Sequence, residues 1–122
     1  RSWSALQALS VLRHRVNPEQ IKRLTRCLNW MITVDEANGL NDAPVYPAEF
    51  IHVNDEIRDW IERSDWQRIE RSIGKSKDAL GSRSMNQSLV SCILKRRIDL
   101  KTGLSKSHRP EELDQMLKEI GI

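Results

Sequence analysis

The sequence is poor in the residues that would announce chemistry. It has two cysteines, Cys27 and Cys92, far apart and at no metal-ligand spacing. That excludes a disulfide framework and a zinc finger, and leaves two reduced thiols of the kind expected in a cytosolic protein. The three histidines, His14, His52 and His108, are scattered, so no metal site is expected. No apolar run approaches the roughly 20 residues that a membrane-spanning helix needs, and no secretory signal is visible. Glycine is sparse, at five residues, and no glycine-rich phosphate loop is formed. "GKS" at 74–76 ends as a P-loop ends, but Ile69 stands where the earlier glycine is required, and an amphipathic pattern rather than a strand precedes it. No carboxylate, base and nucleophile fall at a spacing that would assemble a catalytic group, so no catalytic residue is assigned.

What is present is a chain of 122 residues, 39% hydrophobic and 30% charged, with a formal net charge of +3. Those values suit one domain with a modest core and a wet surface. The mild basicity permits an acidic partner without requiring one. Four tryptophans stand against one Phe and one Tyr. The chain opens on Arg1 without an initiator methionine, and is expected to be part of something longer.

Hydrophobic spacing predicts a helix over 3–15 with Ala5, Leu9, Leu12 and Val16 on its face. Asn17-Pro18-Glu19-Gln20 starts a second helix: Asn17 as N-cap, Pro18 at the first position, Gln20 closing a capping-box pattern, with Ile21, Leu24 and Leu28 apolar. Trp30 to Val34 is short and β-branched; it reads as a strand, or as a continuation of the second helix. Residues 35–44 are loop by composition, with a turn at Asn38-Gly39. Residues 45–53 read as a strand in which Pro47 implies an edge, a bulge or a shortened ladder, so a hairpin with a long loop is the simplest arrangement. Glu49, alone in that strand, is expected to face solvent or an ion-pair partner.

Asn54 caps a helix with Ile57, Trp60 and Ile61 on its face and Arg58 on an exposed flank. Ser64-Asp65-Trp66-Gln67 reads as a capping box for a helix ended by Gly74, and 75–80 as a polar linker. Ser84-Met85-Asn86-Gln87 reads as another, opening a helix with Met85, Leu89, Cys92 and Ile93 apolar. Lys95, Arg96 and Arg97 are placed in its last turn, where positive charge suits the helix dipole. A short helix follows near 99–104, and a last one from Pro110 with Leu113, Met116, Leu117 and Ile120.

"GSRSMNQSL" at 81–89 carries more polar residues on a helix start than a cap requires. This stretch resembles the C-terminal end of the type IV pilus retraction ATPases, the PilT-like branch of the secretion-ATPase superfamily. That family carries Gly-Met-x-Thr-[Leu/Phe]-Asp-Gln-[Ser/Cys]-Leu there. Gly81, Ser84, Met85, Asn86, Gln87, Ser88 and Leu89 fall in that register, and Ile98, Leu104, Pro110 and Leu113 continue it. Upstream, "VYPAEFIHVNDEIRDWIER" looks like the family's strand followed by its Ala-Ile-Arg-Asn-Leu-Ile-Arg-Glu helix, so that Glu49, Ile57, Arg58 and Ile61 match. "SALQALSVLRHRVNPEQ" resembles the segment after the family's histidine box. Arg1 stands about where that box has its His, Pro44 where the family has an Arg, and Glu56, Asp59 and Trp60 replace Ala, Asn and Leu of the helix motif. The machine could therefore be a pilus, conjugation or secretion system.

The resemblance implies an α+β, mostly helical fold: residues 1–53 ending a RecA-like ATPase core with two helices and a short hairpin, and 54–122 forming a helical C-terminal subdomain. It implies a non-catalytic part of a hexameric traffic ATPase, cytoplasmic and peripheral to the inner membrane. That part would pass ATP-driven motion to pilus or secretion platform proteins. By the same resemblance ATP and Mg²⁺ belong to the parent chain and no cofactor to these residues. Ile57, Arg58, Ile61 and Glu49 would form the interface and motility motif, and Gly81, Ser84, Asn86, Gln87 and Leu89 the helix-start motif. The other reading is a stand-alone basic helical adaptor for nucleic acid or an acidic protein, using Lys95, Arg96 and Arg97 with Arg13 and Arg15. Nucleic acid is disfavoured, because no aromatics interleave with those charges.

Overall fold

In the computed structural model, which describes residues 4–73 and 82–122, the chain starts with a reciprocal cap. Ser4 accepts the Gln7 amide N–H and the Gln7 side chain accepts the Ser4 N–H, opening α1 (Ala5–Arg13). Asn17 and Gln20 repeat that box with Pro18 at the first turn, opening α2 (Pro18–Cys27). The faces differ from expectation. Leu6 and Leu9 are the buried residues of α1, and Ile21 and Thr25 those of α2, while Leu12 and Leu24 are exposed. Thr25 is tolerated inside because its hydroxyl donates to the Ile21 carbonyl one turn back.

Trp30 to Val34 is a strand. Buried and exposed residues alternate along it, as a half-buried strand requires. This β1 (Trp30–Val34) pairs antiparallel with β4 (Ala48–His52), with Ile32 opposite Phe50 and Thr33 opposite Glu49. The stretch expected as plain loop holds a second small hairpin, β2 (Ala37–Asn38) with β3 (Pro44–Val45). The Gly39 N–H donates to the Ala43 carbonyl at 3.1 Å, and a Cβ at Gly39 would run into that carbonyl. Pro47 shortens the ladder, separating β3 from β4, while its carbonyl still accepts the Asp35 N–H at 3.0 Å.

Asn54 caps α3 (Asp55–Glu62), as expected. The box expected at Ser64–Gln67 is not formed. Ser64 lies at φ 57, in the left-handed region, and the chain there closes α3: the Ser64 N–H donates to the Ile61 carbonyl and the Asp65 N–H to the Trp60 carbonyl. α4 (Trp66–Ile73) follows. α5 (Met85–Leu94) opens on the Ser84–Gln87 box. It ends before the basic triplet: Lys95 is the C-cap, and Arg96, at φ 56, makes the same left-handed closure, so these charges lie beyond the last turn rather than within it. Asp99 caps α6 (Leu100–Lys106), and α7 (Pro110–Ile120) ends on Gly121 at φ 96.

Burial divides these elements into two apolar clusters. α1, α2, β1, β4, α3 and α4 share the first, where Ile51, Ile61 and Ile69 are fully enclosed. β2, α5, α6 and α7 share the second, around Leu89, Ile98, Leu113 and Leu117. Packing is continuous across residues 53 and 54, since Val53, Ile57 and Ile61 belong to one cluster. Gly74, Gly81 and the segment between them lie outside the described residues.

Candidate functional site

The two clusters meet at the start of α5, and the polar residues there each have a partner. Ser84 and Gln87 cap the helix. The Ser88 hydroxyl accepts the Ala48 N–H of β4 at 3.0 Å. Asn86 is buried and fully satisfied. Its amide donates to the Arg109 carbonyl and to Glu112 Oε2, and its oxygen accepts the Ser107 hydroxyl at 2.6 Å. The Ser107 oxygen in turn accepts the Arg109 N–H at 3.0 Å. Leu89 is fully buried in the second cluster. The excess of polar side chains on this helix start thus serves to tie α5 to β4 on one side and to the α6–α7 turn on the other. Gly81 lies outside the described residues.

Beside this knot is a cleft of about 150 Å³, lined by Ser4, Gln7, Glu49, Glu70, Asn86, His108, Arg109 and Glu112 among others. Glu49, expected to face solvent or an ion-pair partner, is half-buried and has no ion-pair partner among the described residues. Burial pushes its pKa above the ordinary carboxylate value, the Met85 N–H donated to it at 3.1 Å pulls the other way, and the negative charge of Glu70 adds to the rise. Arg109 is held by Glu112 at 3.5 Å, across the cleft wall. Among the described residues no group of three or more His, Cys, Asp and Glu could hold a metal ion.

The other expected site residues sit apart from the cleft lining. Ile57 and Ile61 are buried in the first cluster. Arg58 is not on a free flank. Its guanidinium donates to the Leu28 carbonyl at 3.1 Å, to Asn29 at 3.4 Å and to Asp55 at 2.8 Å, clamping α3 onto the end of α2, and its Nε is buried without a partner. Arg13, counted among the basic residues of the adaptor reading, donates instead to the Ile61 carbonyl. Sequence reasoning brought Glu49, Ser84 and Asn86 forward but missed Glu70, Ser107, Arg109 and Glu112. The partners of Asn86 are 21 to 26 residues away along the chain and carry no local signal.

No family model matches this sequence, and no curated protein matches it. Solved structures do match. The pilus retraction motor PilT, solved with bound ADP, aligns with a TM-score of 0.77 over 95% of this chain and 33% of its own, at 19% identity. The ATPase DotB of Legionella pneumophila aligns with a TM-score of 0.65 over 84% of this chain and 29% of its own, at 11% identity. The chain therefore spans about a third of the length of the structures it matches. The likeness bears out the mostly helical α+β fold and the resemblance read from the motifs. Among the described residues no helix is long and apolar enough to cross a membrane.

Proposed function

We propose that these residues form the C-terminal, non-catalytic part of a hexameric traffic ATPase of the pilus and secretion type. Residues 1–53 complete the ATPase core, and 54–122 make a helical subdomain that carries nucleotide-driven motion to neighbouring subunits and to a platform at the cytoplasmic face of the inner membrane. ATP and Mg²⁺ bind elsewhere in such a motor. The observation that carries this reading is the match of 95% of the chain to one third of the PilT motor. The capped, hydrogen-bonded start of α5 supports it, because a part that transmits motion has to join its two apolar clusters through directional contacts.

Reading the coding sequence in frame upstream of Arg1 tests it. A strand-G-x-x-x-x-G-K-[ST]-helix segment and an acidic Walker B strand are expected, and the full chain is expected to run as a hexamer in native mass spectrometry with ATP. A start codon close to Arg1 with no P-loop would overturn the reading.

A further inference from the structure

Backbone groups alone close the end of α5. The Arg96 N–H donates to the Ile93 carbonyl and the Arg97 N–H to the Cys92 carbonyl, so the side chains of Lys95, Arg96 and Arg97 take no part in it. All three are exposed, as is Lys101 at the start of α6. Among the described residues none of the four enters a salt bridge or a side-chain hydrogen bond. Other cations of the chain are engaged: Arg58 holds the Leu28 carbonyl, Arg13 the Ile61 carbonyl, and Lys106 approaches Asp35. The acid closest in sequence, Asp99, is occupied as the cap of α6. Hydrogen bonds from Thr102, with a smaller contribution from the charge of Lys101, hold its carboxyl below the usual range.

Exposed leucines stand among these charges. Leu94 precedes the triplet and Leu100 follows Asp99, and they are 50% and 43% exposed. The Leu40 N–H, donated to the Arg97 carbonyl at 2.8 Å, brings the tip of the β2–β3 hairpin to the same turn, and Leu40 is 53% exposed. Between them Ile98 is buried in the second cluster, so the turn is pinned from beneath. Asp42, in the hairpin loop, is the other acid near this turn. Four cations and three leucines therefore share one protrusion with two carboxylates, Asp99 and Asp42.

We propose that this turn between α5 and α6, with its four cations and three leucines, is a docking surface for a bilayer rich in anionic phospholipid. The inference goes beyond a contact with a platform protein, because the lipid itself is what is engaged, and it rests on this chain's own residues whether or not a P-loop lies upstream. Lysine and arginine lay their apolar stems along the acyl boundary and keep their charged ends among the headgroup phosphates. Each such cation strengthens attachment to an anionic surface about five-fold, and the leucines add burial at the boundary. A nucleic acid suits the turn less, since no aromatic residue stands among the charges to stack on a base. An acidic peptide would meet the cations but needs a concavity to enclose its apolar side chains. The cleft at the start of α5 and a smaller one beside Trp60 are both lined by other residues. A lipid surface needs no such cleft.

Co-sedimentation of the full chain with lipid vesicles tests the surface. Vesicles of phosphatidylcholine mixed with phosphatidylglycerol should carry the protein down, vesicles of phosphatidylcholine alone should not, and added salt should release it. Arg96→Gln with Arg97→Gln keeps most of the side-chain length and removes two charges. That pair should weaken attachment about 30-fold and flatten its salt dependence. Leu94→Ser with Leu100→Ser should weaken it about 10-fold and leave the salt dependence as in the parent. All four side chains are exposed, so circular dichroism should be unchanged in both variants. Absence of attachment to the mixed vesicles, equal attachment to phosphatidylcholine alone, or attachment that both pairs leave unchanged would overturn the proposal. So would binding of duplex DNA or polyglutamate, lost in the arginine pair, by a protein that ignores the vesicles. Failure on vesicles by a chain that carries a P-loop would leave the motor reading standing. Attachment of this pattern by a chain without one would sink that reading and support the docking surface.

Discussion

Asn86 concentrates several functions in one side chain. Two donors and one acceptor are all used, on the Arg109 carbonyl, the half-exposed Glu112 carboxylate and the buried Ser107 hydroxyl. Replacing it by Leu preserves approximate volume but strands the Ser107 hydroxyl, which is 1% exposed, with one of its two partners gone. Chemical denaturation should show Asn86→Leu less stable by about 2–4 kcal/mol. Asn86→Asp is a different loss: it sets a second carboxylate against Glu112, so its deficit should shrink as the pH is lowered and one of the two is protonated. Glu49 gives a pH signature of its own. Its folded pKa lies above the ordinary 4.5, so the folded state holds the proton more tightly than the unfolded chain. Its favourable contribution is complete below about pH 4.5 and is lost as the pH rises through the raised folded value. Glu49→Gln keeps an acceptor for the Met85 N–H and removes the charge beside Glu70. Melting curves should therefore show the variant gaining stability over the parent at pH 7 and losing that advantage near pH 4. Equal advantage at both values would mean that burial of the carboxylate is not what Glu49 contributes. Arg58→Ala, which leaves the Leu28 carbonyl without its donor, should cost about 1–3 kcal/mol in folding before any effect on assembly is read.

At the scale of elements, helix starts were legible and helix ends were not. Asn17, Asn54 and Ser84 act as caps because a cap is a local bargain, settled within four residues. Ser64 looks like a cap for the same reason and is not one, because the end of α3 claims it first. A helix end of this kind is normally flagged by glycine, as at Gly121, but Ser64 and Arg96 hold the same left-handed position here. That choice is costly, since a side chain at positive φ crowds the following carbonyl by roughly 1–2 kcal/mol. Ser64→Gly and Arg96→Gly should each stabilise the protein by about 0.5–1 kcal/mol, glycine's greater freedom in the unfolded chain offsetting part of the gain. A fall in melting temperature for either would show that the side chain itself makes a contact that matters. Helix faces were half legible. Spacing alone placed Leu12 and Leu24 inside, but the sheet lies along Leu6 and Leu9, and the Ala5 N–H is taken by Thr33 of β1, a partner 28 residues on. The strand at 30–34 was ambiguous because four apolar residues and one threonine suit either period, and it took its ladder from residues beyond a loop.

The whole molecule poses a question that neither cluster answers alone: whether two apolar cores behave as one body. They are joined at few points, chiefly the Arg83–Phe50 bridge, the Ser88 bond to Ala48 and the Glu49 bond to Met85. All three were beyond sequence reasoning, since each pairs the sheet with a segment about 33 to 40 residues later. A small domain unfolds in one step when its parts cannot persist separately, and the coincidence of independent probes is the test. The uneven aromatic content supplies those probes. Trp60 and Trp66 pack against the first cluster and no tryptophan follows Trp66, so fluorescence reports that cluster, whereas far-ultraviolet circular dichroism also reports α5, α6 and α7. In urea the two signals should coincide for the parent protein. Arg83→Pro removes the N–H donated to Phe50, and Ser88→Ala removes the acceptor of the Ala48 N–H. Carried together, they should lower the circular dichroism midpoint more than the fluorescence midpoint, because α5 to α7 are released from a sheet that still holds α1 and α3. If the midpoints fall together, apolar contact between the clusters couples them and the polar knot at α5 does not. If they separate, these few directed bonds are what make the two clusters behave as one body.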